Sequence, residues 1–130
     1  MNGNSIALDT NVAVQVLNDV AATIAFLNDY SELCLPVPVI GELRFGAMNS
    51  ARSVENLAKI DKLLVRCRPV NADVATAETY ATVRFELKRR GTPIPENDIW
   101  IAAICVQHSL PIATLDQHFS KVPTLQIRRP

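Results

Sequence analysis

The sequence predicts an α/β fold in which a parallel sheet carries helices on both faces. Three observations predict it. Short apolar runs bounded by turn formers, Ser5-Ile6-Ala7-Leu8 near the start and Leu110 to Thr114 near the end, read as buried strands. Stretches of helical periodicity separate such runs along the chain, and strand–helix alternation is the pattern of a parallel sheet. The helix expected over residues 97–108 is apolar nearly all round, with Ile99, Trp100, Ile101, Ala102, Ala103, Ile104 and Val106. Such a helix is buried inside a domain.

The elements follow in order. Residues 5–9 are the first strand, and Asp9-Thr10-Asn11 are helix-start residues. The next helix carries Val12, Val16 and Leu17; another, over roughly residues 21–30, carries Ile24, Phe26 and Leu27. Leu33 to Leu35 is a short strand, and Pro38 suits the first turn of the helix that follows. In that helix Val39, Ile40, Leu43 and Ala47 form one apolar stripe, with Glu42 and Phe45 beside it. Ser53 to Cys67 is a longer amphipathic helix built on Leu57, Ile60, Leu63 and Leu64; its glutamate is one residue early for a capping box. Pro69-Val70 reads as a very short strand. Asn71 is the expected cap of a helix over roughly 72–90, with Ala75, Ala77, Tyr80, Ala81 and Phe85. That helix ends Lys88-Arg89-Arg90-Gly91, cations and then glycine, a normal stop signal. Thr92-Pro93-Ile94-Pro95 is a rigid loop. After the buried helix come a strand over 110–114, a helical turn over 116–120 and a strand over 124–127.

Length and composition set bounds. The 130 residues make one domain, 1–130, and 48% hydrophobic residues make it globular. No apolar stretch approaches the ~18 residues of a membrane span. Met1-Asn2-Gly3-Asn4 lacks the basic start of a secretion signal, so a cytoplasmic protein is expected. Cys34, Cys67 and Cys105 are odd in number and have apolar or helical neighbours, which points to buried thiols rather than disulfides. Thirteen bases balance thirteen acids, which argues against a generic nucleic-acid binder.

Four carboxylates far apart in sequence stand where chemistry is expected: Asp9, Glu42, Asp98 and Asp116. In a parallel sheet, ligands bind beyond the carboxyl ends of the strands, and Asp9 and Asp116 each follow a predicted strand. Asp98 leads the buried helix, and a buried carboxylate needs a partner, a proton or a metal. Each acid also has a plainer reading, a helix cap or first-turn residue for the aspartates and an exposed helix position for Glu42. If the four converge, only cations hold them together. Setting them aside leaves nine acids against thirteen bases, so the remaining surface carries a surplus of four positive charges, which favours a polyanion. Other constellations fare worse. Cys105 and His108 share a helix face, but His118, Cys34 and Cys67 add no zinc-ligand spacing. There is no G-x-S-x-G and no phosphate-cradling G-x-x-x-x-G-K-[ST].

Four segments, in order and spanning the chain, resemble the four signatures of the PIN domain: Ile6-Ala7-Leu8-Asp9-Thr10-Asn11, Ile40-Gly41-Glu42-Leu43-Arg44-Phe45-Gly46-Ala47, Asn97-Asp98-Ile99-Trp100-Ile101-Ala102-Ala103 and Thr114-Leu115-Asp116-Gln117-His118-Phe119. More closely they resemble the VapC-type toxins of bacterial toxin–antitoxin pairs. The resemblance implies a three-layer α/β/α sandwich with a central parallel sheet, and a Mg2+- or Mn2+-dependent ribonuclease. By motif, Asp9, Glu42, Asp98 and Asp116 match the family's acidic metal and catalytic residues, with Thr114 and Asn11 as polar residues beside them. It also implies an RNA substrate, a small cognate antitoxin and a homodimer.

The residue types fit that chemistry. Carboxylates are hard oxygen donors and suit Mg2+ or Mn2+, and such ions activate water and stabilise a leaving oxygen. Arg44, Arg84, Lys88, Arg89 and Arg90 are candidates for contact with the RNA backbone, set against a plain role as solvated or helix-terminal charges. Two competing readings are a PIN-like assembly module without catalysis, and a different metal-dependent phosphohydrolase; the presence of all four acids speaks against the first.

Overall fold

The structure, a computed structural model, describes residues 4–130. Met1, Asn2 and Gly3, on which the expected lack of a secretion signal rests, lie outside the described residues.

Five parallel strands form one sheet in the order β3-β2-β1-β4-β5. They are β1 (Ser5–Leu8), β2 (Glu32–Pro36), β3 (Arg68–Val70), β4 (Ile112–Ala113) and β5 (Ile127–Arg128). Among the described residues six helices connect them: α1 (Thr10–Leu17), α2 (Ala21–Leu27), α3 (Val37–Met48), α4 (Ser53–Arg66), α5 (Val74–Arg90) and α6 (Glu96–Gln107). A 3-10 helix, His118–Lys121, lies between β4 and β5. With helices covering the sheet, this is the expected three-layer α/β/α sandwich. No helix among the described residues is long and apolar enough on its own to cross a membrane.

The core lies around β1 and α6. Ile6, Ala7 and Leu8 are fully buried, as are Ile101 to Cys105. The all-round apolar character of α6 is thereby explained: it packs against β2, α3 and α5 at once. Trp100 stacks on Tyr80 of α5 with ring centroids 4.0 Å apart, which gives that large side chain a packing role. The α3 stripe also holds, with Val39, Leu43 and Ala47 buried and Phe45 left exposed. All three cysteines are buried free thiols.

Several details differ from expectation. The first strand stops at Leu8, because Asp9 already caps α1. The cap of α5 is Asp73 rather than Asn71. Its carboxylate accepts the Thr76 N–H at 3.0 Å while the Thr76 hydroxyl accepts the Asp73 N–H at 2.9 Å, a capping box whose third-position residue is threonine. α5 buries Thr76, Val83 and Leu87, while Ala75, Ala77, Ala81 and Phe85 face outward. The strand expected over 110–114 pairs only at Ile112–Ala113. The Leu110 amide turns back to the Cys105 carbonyl at 2.9 Å, and Pro111 has no N–H to give. The last strand falls at 127–128 rather than 124–127, since Val122 and Leu125 spend their amides on turns.

Candidate active site

The strand order reverses direction about β1 and β4: the chain moves from β1 outward to β2 and β3, then returns to β4 on the other side of β1. A crevice opens beyond the carboxyl ends at such a switch point. β1 delivers Asp9 there and β4 delivers Thr114 and Asp116. Backbone bonds hold the two strand ends in step: the Asp9 N–H donates to the Ala113 carbonyl at 2.9 Å.

Asp9 is 4% exposed, and both of its carboxylate oxygens are engaged. Oδ1 accepts the Thr10 N–H at 2.8 Å, and Oδ2 accepts the Thr114 hydroxyl at 2.6 Å. The capping role and the site role thus belong to one side chain, one oxygen each. Burial pushes its pKa up to about 6, opposed by the two hydrogen bonds and reinforced by the charges of Asp98 and Asp116.

Thr114 is fully buried and joins the two strand-end acids. Its hydroxyl donates to Asp9 and accepts the Asp116 N–H at 2.9 Å. Asp116 Oδ1 accepts the His118 N–H at 2.9 Å, a local turn that starts the 3-10 helix. Asn11 Oδ1 accepts the Leu115 N–H at 3.3 Å, which ties the start of α1 to the loop after β4.

Glu42 projects from α3 on the exposed rim and accepts the Thr10 hydroxyl. Asp98 sits in the first turn of α6, partly buried. Burial raises its pKa; the hydrogen bond to His118 opposes this, and the Asp116 and Glu42 charges add to it. Asp98 thus feels the charges of Asp116 and Glu42, and Asp9 feels those of Asp98 and Asp116, although α3, α6 and the two strand ends bring these acids from four parts of the chain. Beyond Thr10 and Glu42 the rim continues between α1, α3 and α4 as a groove of about 350 Å3, lined by Val14, Leu17, Leu43, Ala47 and Ile60 among others.

Sequence reasoning missed His118, which it weighed only as a zinc ligand with cysteines. Its Nδ1 lies 3.1 Å from Asp98 Oδ2 and 3.1 Å from Asp116 Oδ1. Ligand atoms of Asp98, Asp116 and His118 all lie within 4.8 Å of one another, close enough to hold one metal ion together, and no cysteine takes part. The available signal was the two-residue spacing from Asp116, which in an Asx turn folds the later residue back over the acid.

Most of the basic candidates are paired with nearby acids. Arg44 meets Asp61 at 3.4 Å; Arg89 and Arg90 meet Glu86 at 2.7 and 3.6 Å. Arg84 donates to the Tyr80 hydroxyl at 2.7 Å and lies 3.9 Å from Glu96. These are exposed pairs, weak enough to exchange for a phosphate. Lys88 and Arg84 together border a surface cavity of about 380 Å3 between α5 and the start of α6.

The PIN domain family model matches residues 6–125. The chain is 31% identical over 98 residues to ribonuclease VapC2 of Haemophilus influenzae, covering 74% of each chain. It is 28% identical to the tRNA(fMet)-specific endonuclease VapC of Salmonella typhimurium, over 92% of this chain and 93% of that one. Its fold superposes on the DNA-bound VapBC structure from Salmonella typhimurium with a TM-score of 0.88, at 26% identity and 96% and 97% coverage. The chain belongs to the PIN domain family.

Proposed function

We propose that this PIN-domain chain is a divalent-metal-dependent endoribonuclease that acts as the toxin of a type II toxin–antitoxin pair. One observation carries the reading: Asp9, Glu42, Asp98 and Asp116 gather at the switch point of the sheet, in a chain whose relatives are named as VapC ribonucleases. The donor set is carboxylate oxygen with one imidazole, which fits Mg2+ or Mn2+.

Asp9, Asp98 and Asp116 would hold the ion, with Glu42 at the rim. When bound, a divalent ion supplies Lewis acidity toward a phosphodiester oxygen and makes water a better nucleophile. The protein's own groups do the rest. Thr114 and the Thr10 amide fix the Asp9 carboxylate in one orientation, so its oxygens are aimed before substrate arrives. Glu42, exposed and tethered through Thr10, is placed to orient the attacking water and take its proton. Asn11 keeps the loop carrying Asp116 close to α1. Arg44, Arg84, Lys88, Arg89 and Arg90 would meet the RNA backbone outside the acidic pocket.

The domain comprises residues 1–130 and works in the cytoplasm, where its RNA substrate is found and where free thiols persist. A small antitoxin would lie along the apolar groove beside Glu42 and close the site with an arginine paired to its carboxylates. Exposed Phe45, Met48, Val65 and Phe85 supply apolar surface for a homodimer. The test is purified, partner-free protein incubated with total RNA in Mg2+, Mn2+ or EDTA, with cut sites mapped. Discrete metal-dependent cuts are expected; an intact RNA population in every metal would leave a non-catalytic assembly module.

A further inference from the structure

We propose that His118 is a nitrogen ligand of the metal site, and that it makes the site bind Mn2+ in preference to Mg2+. This rests on the metal-site reading above and narrows it to an ion.

His118 Nδ1 is 3.1 Å from one oxygen of Asp98 and 3.1 Å from one oxygen of Asp116. A six-coordinate ion with donors at about 2.1 Å separates adjacent donors by about 3.0 Å, the bond length times √2. The two separations from His118 thus match the spacing of adjacent donors on one ion, and the Asp98 and Asp116 ligand atoms lie within 4.8 Å of each other. The same 3.1 Å serves as a hydrogen bond while no ion is present, so binding requires little rearrangement.

The ring is also positioned rather than loose. Its own amide is held by Asp116 Oδ1 at 2.9 Å, and the next residue, Phe119, is fully buried and anchors the 3-10 helix in the core. The side chain is 42% exposed, so the face of the site it forms is open to an arriving ion.

Chemistry then decides the ion. Mg2+ strongly prefers oxygen donors and keeps its waters. Imidazole nitrogen is a softer donor than carboxylate oxygen; Mn2+, although the weakest binder among the first-row transition ions, accepts it more readily than Mg2+ does. An all-carboxylate pocket discriminates less between the two ions.

The test uses the full chain stripped of metal. Mn2+ and Mg2+ are titrated separately by calorimetry into wild type, His118→Ala and Asp98→Asn, and pulsed electron paramagnetic resonance is recorded on the Mn2+-bound protein. Wild type is expected to favour Mn2+ and to show nitrogen coupling to the manganese. His118→Ala is expected to lose the coupling and to lower the Mn2+/Mg2+ affinity ratio on the order of tenfold, the scale of a lost ligand or its support. Manganese bound to wild type without nitrogen coupling, or an unchanged ratio in His118→Ala, overturns the proposal. Asp98→Asn separates the two layers: if it binds Mn2+ as wild type does, the carboxylate site itself is wrong. Should His118→Ala fail to fold, the coupling in wild type decides alone.

Discussion

Replacing Asp9 with asparagine should make the metal-free protein more stable at neutral pH and less stable in mild acid. The folded carboxyl has a pKa of about 6 against an ordinary value of 3.8. A folded pKa above the unfolded one means that the native state holds the proton more tightly. Asp9 therefore costs nothing below pH 3.8, and the penalty grows as pH rises until the folded pKa is passed. At pH 7.5 that penalty is about 3 kcal/mol, from roughly two pKa units at 1.36 kcal/mol each. Asparagine removes the charge and keeps the shape, and its carbonyl oxygen still accepts the Thr10 N–H. Its amide, however, presents donors where Oδ2 accepted the Thr114 hydroxyl, and the mismatch at a buried threonine costs about 1 kcal/mol. The net expectation is a gain of about 2 kcal/mol at pH 7.5, a loss of about 0.5 kcal/mol at pH 4 that approaches about 1 kcal/mol in stronger acid, and a crossing near pH 4.5, where the two terms are equal. Urea unfolding of both proteins in EDTA, from pH 4 to 8, measures the difference directly. A difference that does not change with pH would refute the claim that burial of this carboxylate strains the apo protein.

Other outcomes follow from the same contacts. Asp98→Asn should lower RNA cleavage by orders of magnitude and shrink the rise in melting temperature that Mn2+ produces in wild type; an active variant with the full Mn2+ shift would break the four-carboxylate site. Thr114→Val keeps the volume and removes the hydroxyl between Asp9 and Asp116, so chemical unfolding at pH 7 should show a loss of about 1–3 kcal/mol, and calorimetry should show weaker metal binding. Asp73→Ala removes the α5 cap far from the acidic pocket; it should cost about 1 kcal/mol in unfolding experiments and leave the cleavage rate per folded molecule unchanged.

Local chemistry carries much of this fold. A short apolar run between turn formers favours a buried strand, and β1 appears where Ser5 to Leu8 predicted it. Continuous apolar character placed α6 in the core, and the 3.6-residue period identified the buried stripe of α3. The four acids could be picked out because each stands at a strand end, a helix start or the edge of an apolar stripe. Where a residue's role depends on a partner far along the chain, the sequence is silent. The face of α5 that is buried was decided by its packing on α6, and Thr76 is buried because Asp73 and Gln107 satisfy its hydroxyl. The ends of β4 and β5 were set by which amides found carbonyls across the sheet or in turns, so 110–114 shrank to two paired residues. The strand order, which brings Asp9 beside Asp116 from 107 positions away, follows from chain crossings that no local pattern encodes. His118 shows the division most sharply. Its spacing from Asp116 is local, but its approach to Asp98 needs α6 and the 3-10 helix packed side by side, and only the tertiary structure supplies that.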